Sequence, residues 1–375
     1  MNYQEVLDYL YSSLPMYHRV GAAAYKTDIT NTVKLLGALE HPHHNFKTIH
    51  VAGTNGKGSV SHFLTSVLMN SGYKVGLYTS PHLVDFRERI RINGNMIPEE
   101  YVVQFVKDNS ALFAEIEPSF FEMTVAMAFS YFASQAVDIA VIEVGMGGRL
   151  DSTNVITPEL SIITNIGIDH TQYLGNTLAD IAKEKAGIIK QHIPVVIGET
   201  QSEIQKIFAT KAKETNSKLY YADKSFKTIE TQESHNNYLY ATIFKNDEFY
   251  SDIKTPLSGK YQLKNLATVA QAVDILKLKG YNITDTSFKI GIESVIIDTG
   301  LRGRWEIMNS DPLTICEVAH NEDGIKCLTE KLEQLKYQKL HIVYGCVNDK
   351  DYKKILSILP KEARYYFCKP SVPRG

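Results

Sequence analysis

The residues Gly53-Thr54-Asn55-Gly56-Lys57-Gly58-Ser59 carry the densest chemistry in the chain. Glycines let a backbone turn until its N–H groups converge on one point, and Lys57 adds a mobile full charge. With the positive end of a following helix, such a loop suits an anion, and polyphosphate is the expected guest. The spelling is not that of the standard phosphate loop, which puts four residues between its glycines and Ser or Thr directly after the lysine. Here only Thr54 and Asn55 intervene, and Gly58 separates Lys57 from Ser59. The plain alternative is a glycine-rich turn with a solvent-exposed lysine. The flanks favour phosphate, because Lys47 to Val51 reads as a strand while Phe63, Leu64, Val67 and Leu68 repeat at helical spacing.

Three further residues end apolar runs that read as strands: Ser80 after Lys74 to Tyr78, Glu143 closing Asp138 to Glu143, and His170 beyond Leu160 to Thr164. Ligands of open α/β sheets collect outside the C-terminal strand ends. A hydroxyl, a carboxylate and an imidazole delivered there beside a phosphate loop form a plausible Mg²⁺ site, with phosphate oxygens completing the shell. Each also has a structural alternative: Ser80 as a turn residue before Pro81, Glu143 as the partner of Arg149, His170 as a core histidine. Lys185, beside Glu184 in a helical stretch, reads on its own as a solvated surface charge.

The elements that must position these groups alternate strand and helix. Helical spacing marks Tyr3 to Leu14, Asp28 to Leu39, Phe120 to Ala133, Leu178 to Ala186 and Gln262 to Leu278, with Met16 to Thr27 as a loop. Asn93-Gly94 centres a small hairpin over Ile90 to Ile97, Pro98 opens a helix, and Pro194 to Ile197 is another strand. The alternation argues an α/β fold with a large, doubly wound sheet of phosphate-loop type. Ser225 to Tyr250, richer in Thr, Tyr, Phe and Asn, suggests an antiparallel appendage. After a reset near Ile297, Thr314 to Val318, Gly324 to Leu335, Lys339 to Val343 and Tyr365 to Cys368 form a second strand–helix series, a smaller Rossmann-like α/β domain. The expected division is 1–297 and 298–375.

At 375 residues two domains are natural, and 40 basic against 42 acidic residues give no polyelectrolyte character, which argues against a nucleic-acid partner. Cys316, Cys327, Cys346 and Cys368 form no CxxC pair and read as thiols of a reducing compartment. No apolar run is long enough to span a bilayer and the first residues lack a signal-peptide block, so a cytoplasmic protein with no membrane partner, working as a monomer, is expected.

Over nearly its whole length the chain resembles the folylpolyglutamate synthase and dihydrofolate synthase proteins of the Mur ligase superfamily. The resemblance is carried, in order, by GTNGKGS (Gly53 to Ser59), TSPHL (Thr79 to Leu83), ERIRING (Glu88 to Gly94), FFE (Phe120 to Glu122), EVGMGGRLDSTN (Glu143 to Asn154), IGIDH (Ile166 to His170) with Leu174-Gly175, and EKAGI (Glu184 to Ile188). It continues in Gly303-Arg304 with Glu306, in VAHN (Val318 to Asn321) and in DKD (Asp349 to Asp351).

The resemblance implies an ATP-dependent ligase that adds L-glutamate to dihydropteroate, to the glutamyl tail of reduced folates, or to both. A carboxylate would take the γ-phosphate as an acyl phosphate, and the amine of glutamate would displace it. By motif position Thr54 to Ser59, Asn265, Arg304 and Glu317 would contact ATP, and Lys57, His170 and Lys185 would be catalytic. Ser80 and Glu143 would hold one Mg²⁺ and His170 a second, while Lys185 matches a carbamylated lysine. The pterin or folate would meet Thr27, Pro81, His82, Arg89, Phe121, Glu122, Arg149 and Asp151. Glu317 departs from the pattern, which has Asp before VAHN. The sequence stops at Gly375 where relatives continue, so a truncated chain is expected, with a binding remnant without turnover as the alternative. A UDP-muramoyl ligase would need a further domain ahead of Gly53, and a simple phosphate-loop kinase or hydrolase has no use for His170, Lys185 and VAHN together.

Overall fold

The computed structural model describes residues 1–13, 28–235, 238–346 and 352–369. Thr27, the remainder of the loop Met16 to Thr27, and Asp349 to Asp351 lie outside the described residues.

The main sheet is built from β1 (Lys47–Ala52), β2 (Val75–Tyr78), β3 (Ile90–Ile92), β4 (Asn95–Met96), β5 (Ile139–Glu143), β6 (Leu160–Ile163), β7 (Val195–Ile197) and β8 (Leu219–Tyr221). Their order is β4-β3-β2-β5-β1-β6-β7-β8. β1 pairs in parallel with both β5 and β6, and β2, β7 and β8 extend the parallel set, while β3 and β4 add antiparallel strands at one edge. Register fixes what emerges where. Val51 lies opposite Glu143 and Tyr78 opposite Ile142, so the glycine loop, Ser80 and Glu143 leave the sheet along the same edge. Strands β1, β2, β5, β6 and β7 are buried at almost every position, as expected of a parallel sheet covered on both faces.

One covering layer contains the helix Lys57–Asn70, buried continuously from Gly58 to Leu68, beneath the helices Gln262–Leu278 and Asp285–Glu293. A side chain at Gly291 would place its Cβ 2.5 Å from the Cα of Val67, so only glycine permits this approach. Helices Tyr3–Ser13, Thr30–Ala38, Glu99–Asp108 and Phe120–Ser134 pack the other face around Phe129, Phe132, Met127 and Leu36.

The antiparallel appendage consists of β9 (Phe226–His235), β10 (Tyr238–Lys245) and β11 (Glu248–Thr255), five residues longer at its end than the composition shift suggested. Beyond it, β12 (Glu306–Ser310) and β13 (Leu313–Cys316) form an antiparallel pair, and β14 (His341–Gly345) and β15 (Arg364–Cys368) a parallel pair. Helices Glu322–Glu333 and Tyr352–Ile358 meet over a small core of Ile325, Ile355 and Leu359. The sequence reading missed β8, β12 and the helices Gln205–Glu214 and Asp285–Glu293. It placed Pro98 inside a helix that Pro98 instead caps from outside. Among the described residues no helix is long and apolar enough to cross a membrane.

Candidate active site

The glycine loop leaves β1 and re-enters structure at Lys57, with Gly56 at φ +85° as the residue before the helix. A Cβ on Gly56 would lie 2.4 Å from Oδ1 of Asn265, so both the left-handed conformation and the contact demand glycine. No side chain caps this helix, which leaves its first N–H groups and the positive end of its dipole for an anion. The loop is held from the neighbouring β6 connection. Asn165 accepts the Thr54 N–H on its backbone oxygen and the Asn55 N–H on Oδ1, both at 2.9 Å, and the Thr54 hydroxyl exchanges hydrogen bonds with the Gly167 backbone. Ser59 Oγ accepts from Gln262 Nε2 at 3.2 Å, and Gln262 in turn orients Asn265 through a 2.7 Å bond.

Lys57 Nζ donates to the carbonyl oxygens of Gly53, at 3.0 Å, and Thr54, at 3.2 Å. Lys185 Nζ reaches the same Gly53 oxygen at 2.9 Å. Lys185 is therefore not the solvated charge its neighbours suggested: it is buried, and burial, reinforced by the positive charge of Lys57, lowers its pKa to about 7. Packing explains the placement. Gly148, in the glycine-rich loop after β5, sits where a Cβ would be 2.9 Å from the Glu184 oxygen, and Arg149 N–H donates to that oxygen at 2.8 Å. That loop presses the helix Leu178–Ala186 inward and turns Lys185 towards Gly53.

Glu143 is buried at the end of β5, and its Oε2 accepts the Ser80 N–H at 3.2 Å. Burial raises its pKa, against the opposing pull of Lys57, the Ser80 amide, Arg304 and Arg89. The structural alternative for Glu143, an ion pair with Arg149, is not formed: Arg149 pairs with Glu184 at 2.9 Å. His170, left-handed at φ +52°, follows Asp169, whose Oδ2 lies 3.8 Å from His170 Nε2. Asp169 was missed by the sequence reading, as were His320 and Asn321 as individual contacts. His320 Nε2 lies 3.3 Å from Asp169 Oδ2, and Asn321 Nδ2 donates to Asn55 Oδ1 at 2.9 Å while its Oδ1 caps the helix Glu322–Glu333. The signal available was the N-cap pattern of Asn321 followed by Glu322 and Asp323.

These groups share one cleft of about 1140 Å³, lined by Thr54 to Ser59, Ser80, Pro81, Arg89, Phe121, Glu122, Glu143, Asp151, His170, Lys185, Asn265, Arg304 and Glu317. His82 and Arg149 do not line it. His82 accepts from Arg89 Nε on Nδ1 at 2.7 Å and so positions that arginine, and Arg149 is exposed in its ion pair with Glu184. Arg89 is buried over the ring of Phe120, 5.2 Å from its centroid. The Asp151 carboxylate accepts from Met146 N at 2.9 Å and Thr153 N at 3.0 Å, and that of Glu122 accepts from Ser119 N at 2.6 Å, so both shape loops at the cleft wall. Glu317 accepts from the N–H groups of Trp305 and Val318, each at 2.9 Å, which ties its carboxylate into the turn that presents Arg304.

Two family models match the chain, the Mur ligase middle domain over residues 51–273 and the Mur ligase glutamate ligase domain over residues 303–375. The chain therefore belongs to the Mur ligases, a family of ATP-dependent ligases. Within that family it groups with the folylpolyglutamate synthase and dihydrofolate synthase proteins. It is 37% identical to the folylpolyglutamate synthase of Lacticaseibacillus casei, covering 100% of this chain and 87% of that protein. It is 33% identical to a probable bifunctional folylpolyglutamate synthase/dihydropteroate synthase of Haloferax volcanii, covering 100% of this chain but only 44% of that longer protein. A solved structure described as an FPGS-AMPPCP-folate complex superposes with a TM-score of 0.87 at 36% identity, covering 98% of this chain and 89% of that one. Nothing in these comparisons supports the alternative of a binding remnant without turnover.

Proposed function

We propose that this chain joins the amine of L-glutamate to a carboxylate of dihydropteroate or of a reduced folate, with conversion of ATP to ADP and phosphate. The observation that carries this reading is that the uncapped helix with Lys57, the buried Glu143 and Lys185, and Arg89 with Phe121 line a single cleft. Relatives named as folylpolyglutamate synthases, and a neighbour solved with AMPPCP and folate, support it.

The chemistry asks mainly for positioning and charge neutralisation. The helix N-terminus and Lys57 bind the triphosphate, for which Lys57 exchanges its bonds to Gly53 and Thr54 for phosphate oxygens. Asn265 and Arg304 flank the nucleotide, and Glu317 fixes the turn carrying Arg304. A substrate carboxylate oxygen attacks the γ-phosphorus as the bond to ADP breaks. The glutamate nitrogen then adds to the acyl carbon, phosphate leaves with its bonding electrons, and the surplus amine proton is lost. Arg89 and Phe121 hold the pteroate portion, with Pro81, Glu122 and Asp151 shaping the wall.

The residues present fit Mg²⁺: Ser80 and Glu143 offer hard oxygen donors, and Glu143 is a buried carboxylate whose hydrogen bond from Ser80 comes from a neutral amide. Ser80 and Glu143 would hold one ion and His170 a second, supplying charge neutralisation for the phosphates. Lys185 fits a carbamate, since burial keeps its amine partly neutral near pH 7 and a neutral amine can add to CO₂ with release of a proton. We divide the chain at Ile297 into 1–297, for ATP and pterin, and 298–375, and take it to act as a cytoplasmic monomer.

The test is a phosphate-release assay with ATP and L-glutamate, offering dihydropteroate in one reaction and tetrahydrofolate in another. Glutamate-dependent release with either supports the reading and names the substrate; release with neither overturns it.

A further inference from the structure

We propose that His41, His43 and His44 form a binding site for an imidazole-seeking divalent transition-metal ion, with Zn²⁺ as the reference member. The site lies at the end of the sheet away from the cleft. The sequence His41-Pro42-His43-His44 sits in the connection between the helix Thr30–Ala38 and β1. Its ligating nitrogens all lie within 4.8 Å of one another.

The turn is built locally. His41 is left-handed at φ +53°, its N–H donates to the Leu36 oxygen at 2.8 Å, and Pro42 begins a short 3-10 turn closed by His44 N–H on the His41 oxygen at 3.0 Å. This folds the rings of His41 and His44 into a stack with centroids 5.4 Å apart and brings His43 to 4.1 Å from His44. His43 is buried against Phe129, and its Nδ1 has no hydrogen-bond partner. A buried polar nitrogen left without a partner is costly, and a metal–nitrogen bond is one way of satisfying it.

Three imidazoles suit Zn²⁺, with water at the fourth tetrahedral position, and do not suit Mg²⁺, which takes oxygen ligands. Bond lengths of ~2.0–2.1 Å require the nitrogens to close to ~3.4 Å. The two exposed rings, His41 and His44, are free to make that adjustment while His43 stays packed. The six residues of β1 rise ~20 Å from this turn to the glycine loop, so an ion here takes no part in the cleft chemistry. It staples the end of one helix to the start of the central strand.

The test is calorimetric titration of the untagged 375-residue chain with Zn²⁺ in excess Mg²⁺, beside the double variant His41→Gln/His44→Gln. Wild type is expected to bind a Zn²⁺ ion that the variant binds at least ~10-fold more weakly, and Zn²⁺ is expected to raise the Tm of wild type more than that of the variant. Because both substituted residues are exposed, circular dichroism should report an unchanged fold. Equal Zn²⁺ affinity and stoichiometry in the two proteins, or no Zn²⁺ bound by wild type under these conditions, overturns the proposal.

Discussion

Replacing Lys185 with arginine separates two roles that the bare structure superimposes. Arginine keeps a positive charge beside Gly53, whereas only a lysine amine can take up CO₂ at this position. An ordinary lysine amine with a pKa of about 10.5 is neutral in only ~0.03% of molecules at pH 7. At the lowered value of about 7 that burial gives Lys185, roughly half are neutral, a gain of about a thousandfold in reactive amine. Lysine 185 is thus primed, and the sign follows: reactive amine falls away as the pH drops below 7 and saturates above it. We expect Lys185→Arg and Lys185→Ala each to lower turnover by ~100-fold or more, on the scale of losing one preorganised charge in a water-poor site. Wild type kept free of CO₂ should lose activity most readily at low pH and recover it with added bicarbonate, and native mass spectrometry should find the mass of one CO₂. Near-normal turnover of Lys185→Arg, together with a native mass showing only the bare amine, would refute the reasoning.

The other perturbations test neighbouring parts of the site. Lys57→Ala removes the mobile charge of the glycine loop and should reduce turnover at least ~100-fold in a phosphate-release assay. Glu143→Gln should do the same and raise the Mg²⁺ requirement. It should also stabilise the unliganded chain at pH 8, because a carboxyl whose pKa is raised on folding contributes stability that is lost as the pH rises through that pKa; thermal melts of the two proteins should converge towards acid pH. Arg149→Ala, outside the cleft and paired on the surface with Glu184, should leave turnover within ~2-fold and cost under ~1 kcal/mol of stability by denaturant titration.

What the sequence made legible followed from strand register. Once Val51, Tyr78 and Glu143 are recognised as lying at the C-terminal ends of parallel strands, the glycine loop, Ser80 and Glu143 must leave along one edge, and they do. His170 follows for the same reason from β6. Hidden were the features decided by packing between distant segments. Lys185 reads as a surface charge from its neighbours Glu184 and Ala186, yet the approach of Gly148 to its helix buries it. The same approach carries Arg149 away from the cleft, although an arginine in a glycine-rich loop is the natural candidate for an anionic substrate. Glu317 was judged by side-chain length, whereas the Trp305 and Val318 N–H groups that donate to its carboxylate set its part. Thr284 and Ser287 form a capping box, but with serine in place of the usual Glu or Gln the start of the helix Asp285–Glu293 went unnoticed.

The sharing of the Gly53 carbonyl by Lys57 and Lys185 links these observations. One oxygen accepts from both amines, at 3.0 and 2.9 Å, so two full positive charges would crowd a single acceptor in a buried setting. The arrangement is relieved if Lys185 gives up its proton, which is the direction of its pKa shift, or if Lys57 is drawn off by a phosphate. Nucleotide binding and the charge state of Lys185 are then coupled through one backbone atom: moving Lys57 away removes a neighbour that disfavours protonation of Lys185, whereas an anionic group on Lys185 would attract Lys57 and compete with phosphate for it. The coupling gives a physical reason for a carbonyl oxygen, which neither lysine can neutralise, to sit between them. It also places the residues 298–375 in the same circuit, because Asn321 holds Asn55 and His320 faces Asp169, which with Asp151 opposes the lowering of the Lys185 pKa. Loosening the VAHN segment would therefore alter the chemistry of Lys185 without touching it.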